Sequence, residues 1–236
     1  MKFGGLLKTS LIDFPEKIGC VLFLSGCNYA CPYCHNPALA RGESIRAQGS
    51  GKDETDFMEF LEKRKGFLEG VVISGGEPTL QNDLPLLCAR IKSMGYAVKI
   101  DTNGSRPGMI RGLIRQKLVD YIAMDIKTDP EAYTPLFAAS SDAGALLSSI
   151  AIIMGSGIDY EFRTTCVRPL VDGQTIEKIS TLIQGCRRYV LQAFHEAEIL
   201  NRAFFDGLSP FYTPAEMEAF QSAARPHVQS CFIRGV

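Results

Sequence analysis

The chain has 236 residues, 46% of them hydrophobic and 22% charged, with a formal net charge of −1. That balance suits one soluble domain spanning 1–236 with a substantial core, and, with no extended Lys/Arg block, it gives no reason to expect a nucleic acid or an anionic membrane as partner. No apolar run reaches the roughly 18 residues that a membrane span needs, and MKFGGLLKTSLIDFPEK is too polar and interrupted for a secretion signal, so the expected compartment is the cytosol.

Strand-like and helix-like stretches alternate along the chain. CVLFLS (20–25) and VVIS (71–74) are short continuous apolar runs, the pattern of strands buried on both faces. Between them, ARGESIRAQGSGKDE (40–54) reads as a surface loop leading to a first long helix with Phe57, Phe60, Leu61 and Leu68 as its apolar positions. LPLLCARIKSMG places Leu84, Leu87, Cys88, Ile91 and Met94 at helical spacing, with Gly95 where the helix stops. AVKID (97–101) predicts a strand broken by TNG, MIRGLIRQKL (109–118) a helix, and YIAMDIK (121–127) a strand. After the polar, small-residue stretch 138–145 come a helix near 146–154, a strand at YEFRTTCV (160–167), a helix at TIEKISTLIQGC (175–186) and a strand at RYVLQAF (188–194). TPAEMEAFQSAA (213–224) predicts a helix in which Thr213 and Glu216 form a capping box, and VQSCFIRG a last strand. Repeated β–α units imply a mostly parallel sheet with right-handed crossovers, and about six such units make an α/β fold of the incomplete-barrel kind, a partial (β/α)6 barrel, rather than a closed eight-fold one.

Of the eight cysteines, Cys20, Cys88, Cys166 and Cys186 sit in or beside apolar segments and Cys231 lies near the end; buried small hydrophobes are expected at all five, as reduced thiols. The other three crowd into GCNYACPYC, as Cys27, Cys31 and Cys34 in a C-x3-C-x2-C spacing after the first apolar run. A zinc site closes with four ligands, and the adjacent His35 is awkwardly placed to be the fourth. Three unrelated loop thiols would be crowded together without a reason. An iron–sulfur cubane takes one thiolate per iron, so three cysteines leave one iron open to chelate a small molecule and pass it an electron.

At this stretch the sequence resembles the radical S-adenosylmethionine (SAM) superfamily, whose signature is this spacing with an aromatic, here Tyr33, before the last cysteine. The resemblance implies a [4Fe–4S] cluster on Cys27, Cys31 and Cys34, with SAM on the fourth iron through its methionyl amine and carboxylate. Its one-electron cleavage would give methionine and a 5′-deoxyadenosyl radical that takes hydrogen from a substrate. The remaining polar motifs fall at the C-terminal ends of predicted strands, where β/α barrels gather their functional groups. Gly75 and Gly76 of GGEP permit close backbone approach, and Glu77 offers a carboxylate to an ammonium; the superfamily has a matching GGE motif at the SAM amino group. Asp101 and Asn103 are candidates for the ribose hydroxyls, although Asn-Gly also makes turns. Asp125 and Lys127 share a strand face across Ile126, as a SAM contact or as an ion pair at the mouth. Arg163, inside a strand, requires an anion: the SAM carboxylate or a neighbouring Glu. Gln192 and His195 close RYVLQAF, the histidine serving equally well as a packed structural residue.

Over residues 3 to 234 the likeness narrows to glycyl-radical-enzyme activases, and is closest to the activating protein of anaerobic ribonucleoside-triphosphate reductase. It rests on GGLLKTSLIDFPEKIGCVLFLSGCNYACPYCHNP, SGGEPTLQ, DTNG, MDIK, EFRTT, YVLQAF and SPFYTPAEM. In that group the Asp-x-Lys matched by Asp125 and Lys127 contacts SAM. The implied reaction removes hydrogen from a backbone glycine of a partner glycyl radical enzyme, with a flavodoxin or ferredoxin as electron donor. Residues 35–87 hold no cysteine, so the chain is of the single-cluster type; HEAEI stands where the group has a different loop, which leaves the substrate open. The rival readings are a radical SAM enzyme acting on a small molecule or peptide, and a non-catalytic iron–sulfur or zinc module, which leaves the rim of polar motifs unexplained.

Overall fold

The apolar runs become strands because they lack the 3.6-residue period and are flanked by glycine and polar turns. In the computed structural model, which describes residues 1–43, 53–138, 142–195 and 198–235, the elements follow in chain order. They are β1 (Phe3–Ser10), β2 (Gly19–Leu24), α1 (Pro37–Ala40), α2 (Glu54–Lys63), β3 (Gly70–Gly75), α3 (Leu84–Ser93), β4 (Ala97–Thr102), α4 (Pro107–Arg115) and β5 (Tyr121–Asp125). Then come α5 (Tyr133–Leu136), α6 (Ala143–Met154), β6 (Asp159–Cys166), α7 (Gly173–Leu182), β7 (Tyr189–Ala193), α8 (Pro214–Ala224) and β8 (Cys231–Arg234). The strands form one sheet in the order β1 to β8, which does not close. β1 runs antiparallel to β2, while β2/β3, β3/β4, β6/β7 and β7/β8 are parallel. The expected open, mostly parallel α/β sheet is therefore found, with an antiparallel edge strand that composition concealed: FGGLLKTS has no alternation, and Leu7, Lys8 and Thr9 are exposed in succession.

The chain divides into two compact units. The first comprises Met1–Tyr29, Asn36–Thr102 and Arg106–Ile122. Its sheet pairs Leu22 with Ile73 and Ile73 with Ile100, all buried. Helix α2 starts where Asp53 accepts the Asp56 amide at 3.0 Å, and it buries Phe57, Phe60 and Leu61. Leu68 is buried too, but in the turn beyond Lys63, where the helix has already ended. Gly95 ends α3 at φ 92°. Helix α4 starts at Pro107, two residues before the expected 109, and stops at Arg115, ahead of Lys117 at φ 55°. Of the loop 40–54, residues 44–52 lie outside the described residues.

The second unit comprises Ala30–His35, Asn103–Ser105 and Ala123–Val236. Its strands place Arg163 opposite Val190, Thr165 opposite Gln192, and Gln192 opposite Arg234. Helix α6 turns Leu146, Ile150 and Ile153 inward, and α8 carries the expected capping box between Thr213 and Glu216. Helix α7 ends at Leu182, short of the expected 186, and residues 139–141 of the small-residue stretch lie outside the described residues. Among the described residues no helix is long and apolar enough to cross a membrane.

Candidate functional site

The candidate residues fall in both units. In the first, β2 runs into Ser25, Gly26 and Cys27, and this start of the cysteine loop is held by backbone bonds. The Gly26 amide donates to Leu39 O at 2.7 Å, the Cys27 amide to Ala40 O at 3.3 Å, and the Ser25 hydroxyl to Glu43 O at 2.6 Å. The glycines after β3 pack on the same segment. The Gly76 amide donates to Leu24 O and the Glu77 amide to Gly26 O, both at 2.8 Å. A Cβ on Gly75, which sits at φ 118°, would fall 2.3 Å from Leu24 O, and one on Gly76 would fall 2.1 Å from Gly26 O. The close approach these glycines permit is thus to the backbone that carries the first cysteine. Gly76→Ala is expected to force the two turns apart, costing about 1–3 kcal/mol as overpacking does, and to weaken retention of iron after reconstitution; unchanged melting temperature and iron content would refute this.

Glu77 is buried, and its Oε1 accepts from the Thr79 amide at 3.0 Å, from the Thr79 hydroxyl, and from the Thr102 hydroxyl at 2.8 Å. The carboxylate therefore caps the 3-10 turn Pro78–Leu80 and ties it to the end of β4. Asp101 Oδ1 lies 2.5 Å from Lys99 Nζ, the side chain two residues back on the same face of β4. Lys99 is only 2% exposed, and its ammonium sits 5.9 Å from the centroid of the Tyr121 ring. Sequence reading missed Lys99; the signal was a lysine inside an apolar strand at two residues from an aspartate, since a buried charge calls for a partner.

In the second unit Cys31 and Cys34 are joined by a turn, the Cys34 amide donating to Cys31 O at 3.0 Å. The turn docks on three places. The Ala30 amide donates to Phe137 O at 2.7 Å, and the Tyr33 ring meets Phe137 edge-on at 6.2 Å. The Asn201 amide donates to Pro32 O at 3.0 Å, and His35 Nε2 lies 3.2 Å from His195 O while its ring stacks on Phe194 at 5.3 Å. Burial pushes the Tyr33 phenol well above its ordinary pKa and lowers that of His35.

Asp125 at the end of β5 and Lys127 just beyond it come together with Arg163 from the middle of β6. Asp125 Oδ1 accepts from Arg163 Nε at 2.7 Å, and Oδ2 lies 3.2 Å from Lys127 Nζ. Burial alone would raise the Asp125 pKa, but the two cations and their hydrogen bonds outweigh it and hold the carboxyl well below the usual range. Burial likewise opposes the Lys127 ammonium; the Asp125 charge, with smaller contributions from Tyr33 and Cys31, keeps its pKa well above the ordinary value. Asp125 is thus an anion that meets Arg163. Asn103 is buried and accepts the Ser105 amide at 3.0 Å, so its turn chemistry is real. Gln192 is half-buried in β7, and His195 is exposed, its ring against Gly235, where an added Cβ would lie 2.3 Å from Nε2. Glu196 and Ala197 of HEAEI lie outside the described residues.

All eight cysteines are free thiols. Burial raises Cys20, Cys88, Cys166 and Cys186 to about 12 and Cys231 to about 11, so these five are inert, as expected of packing residues. Cys27 and Cys34 are partly exposed and Cys31 buried. The Tyr29 amide points at Cys27 Sγ from 3.4 Å, a bond that favours a thiolate. No three His, Cys, Asp or Glu side chains among the described residues are gathered as a metal site in this arrangement. The donor chemistry nonetheless fits a cluster: three soft sulfur ligands on one short, backbone-anchored loop, one of them already receiving an amide hydrogen bond.

The Radical SAM superfamily model matches residues 21–184. A Methanocaldococcus jannaschii protein, provisionally named a glycyl-radical enzyme activating enzyme, is 33% identical over 242 residues, covering 99% of this chain and 95% of that one. The pyruvate formate-lyase-activating enzyme of Clostridium pasteurianum is 26% identical over 228 residues, covering 93% and 91%. The crystal structure of Streptococcus suis SuiB bound to its precursor peptide SuiA superposes with a TM-score of 0.67 at 16% identity, over 91% of this chain and 48% of that one. The chain thus spans about half the length of that structure, and the likeness is one of fold.

Proposed function

The chain belongs to the radical SAM superfamily, whose members use a [4Fe–4S] cluster and SAM, and on that premise we propose that it activates a glycyl radical enzyme, acting on a backbone glycine of a partner protein. The observation that carries the reading is the 33% identity to a provisionally named activating enzyme across nearly the whole of both chains. The matched family region, 21–184, runs through both units, which supports treating 1–236 as one functional domain. The likeness of the N-terminal segment to activating proteins of anaerobic ribonucleotide reductase makes that enzyme the first partner to test, with a flavodoxin or ferredoxin supplying the electron.

When bound, the cluster and SAM supply a single electron and a carbon-centred 5′-deoxyadenosyl radical strong enough to remove a Cα hydrogen. The residues that would hold the cluster are Cys27, Cys31 and Cys34, with Tyr33 packing their turn onto Phe137. Gly75 and Gly76 set the spacing between the GGE turn and the loop that starts at Cys27. Asp125, Lys127 and Arg163 together carry one net positive charge in a partly buried position, which suits the methionyl carboxylate. Asp101 and Asn103 are proposed for the ribose hydroxyls of SAM, and Gln192 and His195 as further contacts to it.

Anaerobic reconstitution with iron and sulfide, followed by reductant, SAM and the reductase, tests this by electron paramagnetic resonance. A glycyl doublet on the partner is expected. Deoxyadenosine without a radical on the partner would transfer the reading to a small-molecule or peptide substrate.

A further inference from the structure

We infer that a pocket beside the cysteine turn receives an apolar side chain of the partner, close in sequence to the glycine that loses hydrogen. The inference rests on the activase reading and adds the feature by which the partner's loop is recognised. The pocket lies in the segment after β7 and has a volume of about 220 Å³. Phe194, Phe205, Phe211, Ile199, Leu208 and Pro210 line it. That volume is below the ~300–1,000 Å³ of ordinary small-molecule sites, and it matches one side chain rather than a whole metabolite.

Its placement supplies the second reason. Phe194 stacks on Phe205 at 6.1 Å and lies 5.6 Å from Phe211, and it also stacks on His35, the residue after Cys34. Asn201 bonds Pro32, between the two cysteines of the turn. One aromatic ring therefore separates the pocket from the cysteine turn, inside a single unit. Hydrogen transfer needs reacting atoms within about 3–3.5 Å, so a flexible peptide must be anchored near the glycine. The lip is built for an incoming apolar group: Leu208 is 51% exposed and Phe211 39%. It is also fixed, because the Arg168 side chain donates to Phe211 O at 2.8 Å and the Arg168 amide donates to Pro210 O at 3.1 Å. Arg202 and Asp206 put one charge of each sign on the rim, so the mouth selects for no net charge in its occupant.

The test uses the anaerobically reconstituted enzyme with SAM and nine-residue fluorescent peptides, glycine-centred and otherwise alanine with terminal lysines, carrying Phe, Leu, Ala or Glu beside the glycine. Anisotropy is expected to give about tenfold tighter binding for Phe or Leu than for Ala, the factor that burying one large apolar side chain supplies, with Glu weakest. Leu208→Ser and Phe211→Ala should each remove that preference while leaving the affinity for the alanine peptide unchanged, with melting temperature and cluster absorbance reporting that the fold is kept. Equal binding of the Phe, Leu and Ala peptides, or a preference that survives both substitutions, overturns the inference. The activase reading is tested separately with dideuterated glycine in the same peptides: abstraction breaks a Cα–D bond and forms a C5′–D bond, so deuterium appears in deoxyadenosine. A pocket preference without deuterium transfer keeps the pocket and sinks that reading.

Discussion

Cys31→Ala is expected to abolish the charge-transfer absorbance of a thiolate-bound iron–sulfur cluster, together with all reductive cleavage of SAM. The cubane needs one protein thiolate on each of three irons, and the chain offers no nearby substitute: residues 35–87 contain no cysteine, and the remaining five thiols are buried. Losing a residue that merely orients a ligand costs roughly 10–100-fold in metal affinity, so losing the ligand costs more. Cys166→Ala is the control. That thiol is fully buried on β6 with its pKa pushed up to about 12, and its removal is expected to cost about 1 kcal/mol of packing with the iron content unchanged. The pair of variants separates the two classes of cysteine by iron analysis alone, without any assay of turnover. Full iron incorporation in Cys31→Ala would refute the assignment of the cluster to this loop.

Much of this was legible because the signals were local. The runs VVIS and RYVLQAF announce buried parallel strands, and Thr213 with Glu216 announces the start of a helix, since each pattern is set by neighbours in sequence. The edge strand Phe3–Ser10 was not legible. Its pairing partner supplies the order, and its own exposed Leu7, Lys8 and Thr9 break the alternation by which strands are recognised. At the candidate site, the sequence pointed to which residues matter more readily than to what each touches. Asp125, Lys127 and Arg163 were each picked out, but only the register of β6 reveals that one carboxylate serves both cations. Lys99 went unnoticed because a lysine in a strand reads as an outward residue until its burial is known. The glycines of GGEP were read as room for a ligand; that a Cβ at either would also meet Leu24 or Gly26 is a constraint the spacing does not announce. The aromatic pocket after β7 left no mark in spacing at all, because Phe194, Phe205 and Phe211 are brought together by a turn rather than by a period.

Asp125→Ala should be the most destabilising change among the charged candidates. Its carboxylate contacts Lys127 and Arg163, whose side chains are only 16% and 13% exposed, so the variant leaves two partly buried cations facing each other without the anion that both contact. Breaking a buried ion pair costs about 3–5 kcal/mol, and the partial exposure here argues for the lower end, about 3 kcal/mol. For a chain of this length that corresponds to a drop of roughly 6–12 °C in Tm. Asp125→Asn keeps the shape and an acceptor for Arg163 but not the charge, and Lys127→Met added to it should recover part of the loss by removing one of the two cations. The pH dependence has a definite sign. A carboxyl whose folded pKa is depressed contributes stability that is fully present above its unfolded value, about 3.9, and that is lost as pH falls towards the folded one. Protonated Asp125 resembles Asn in charge and size. Urea midpoints of the wild type and Asp125→Asn should therefore differ by a constant amount from pH 7 down to about pH 5 and draw together progressively below about pH 4. A gap that stays constant down to pH 2.5 would show that the carboxylate charge is not what holds this corner of the fold.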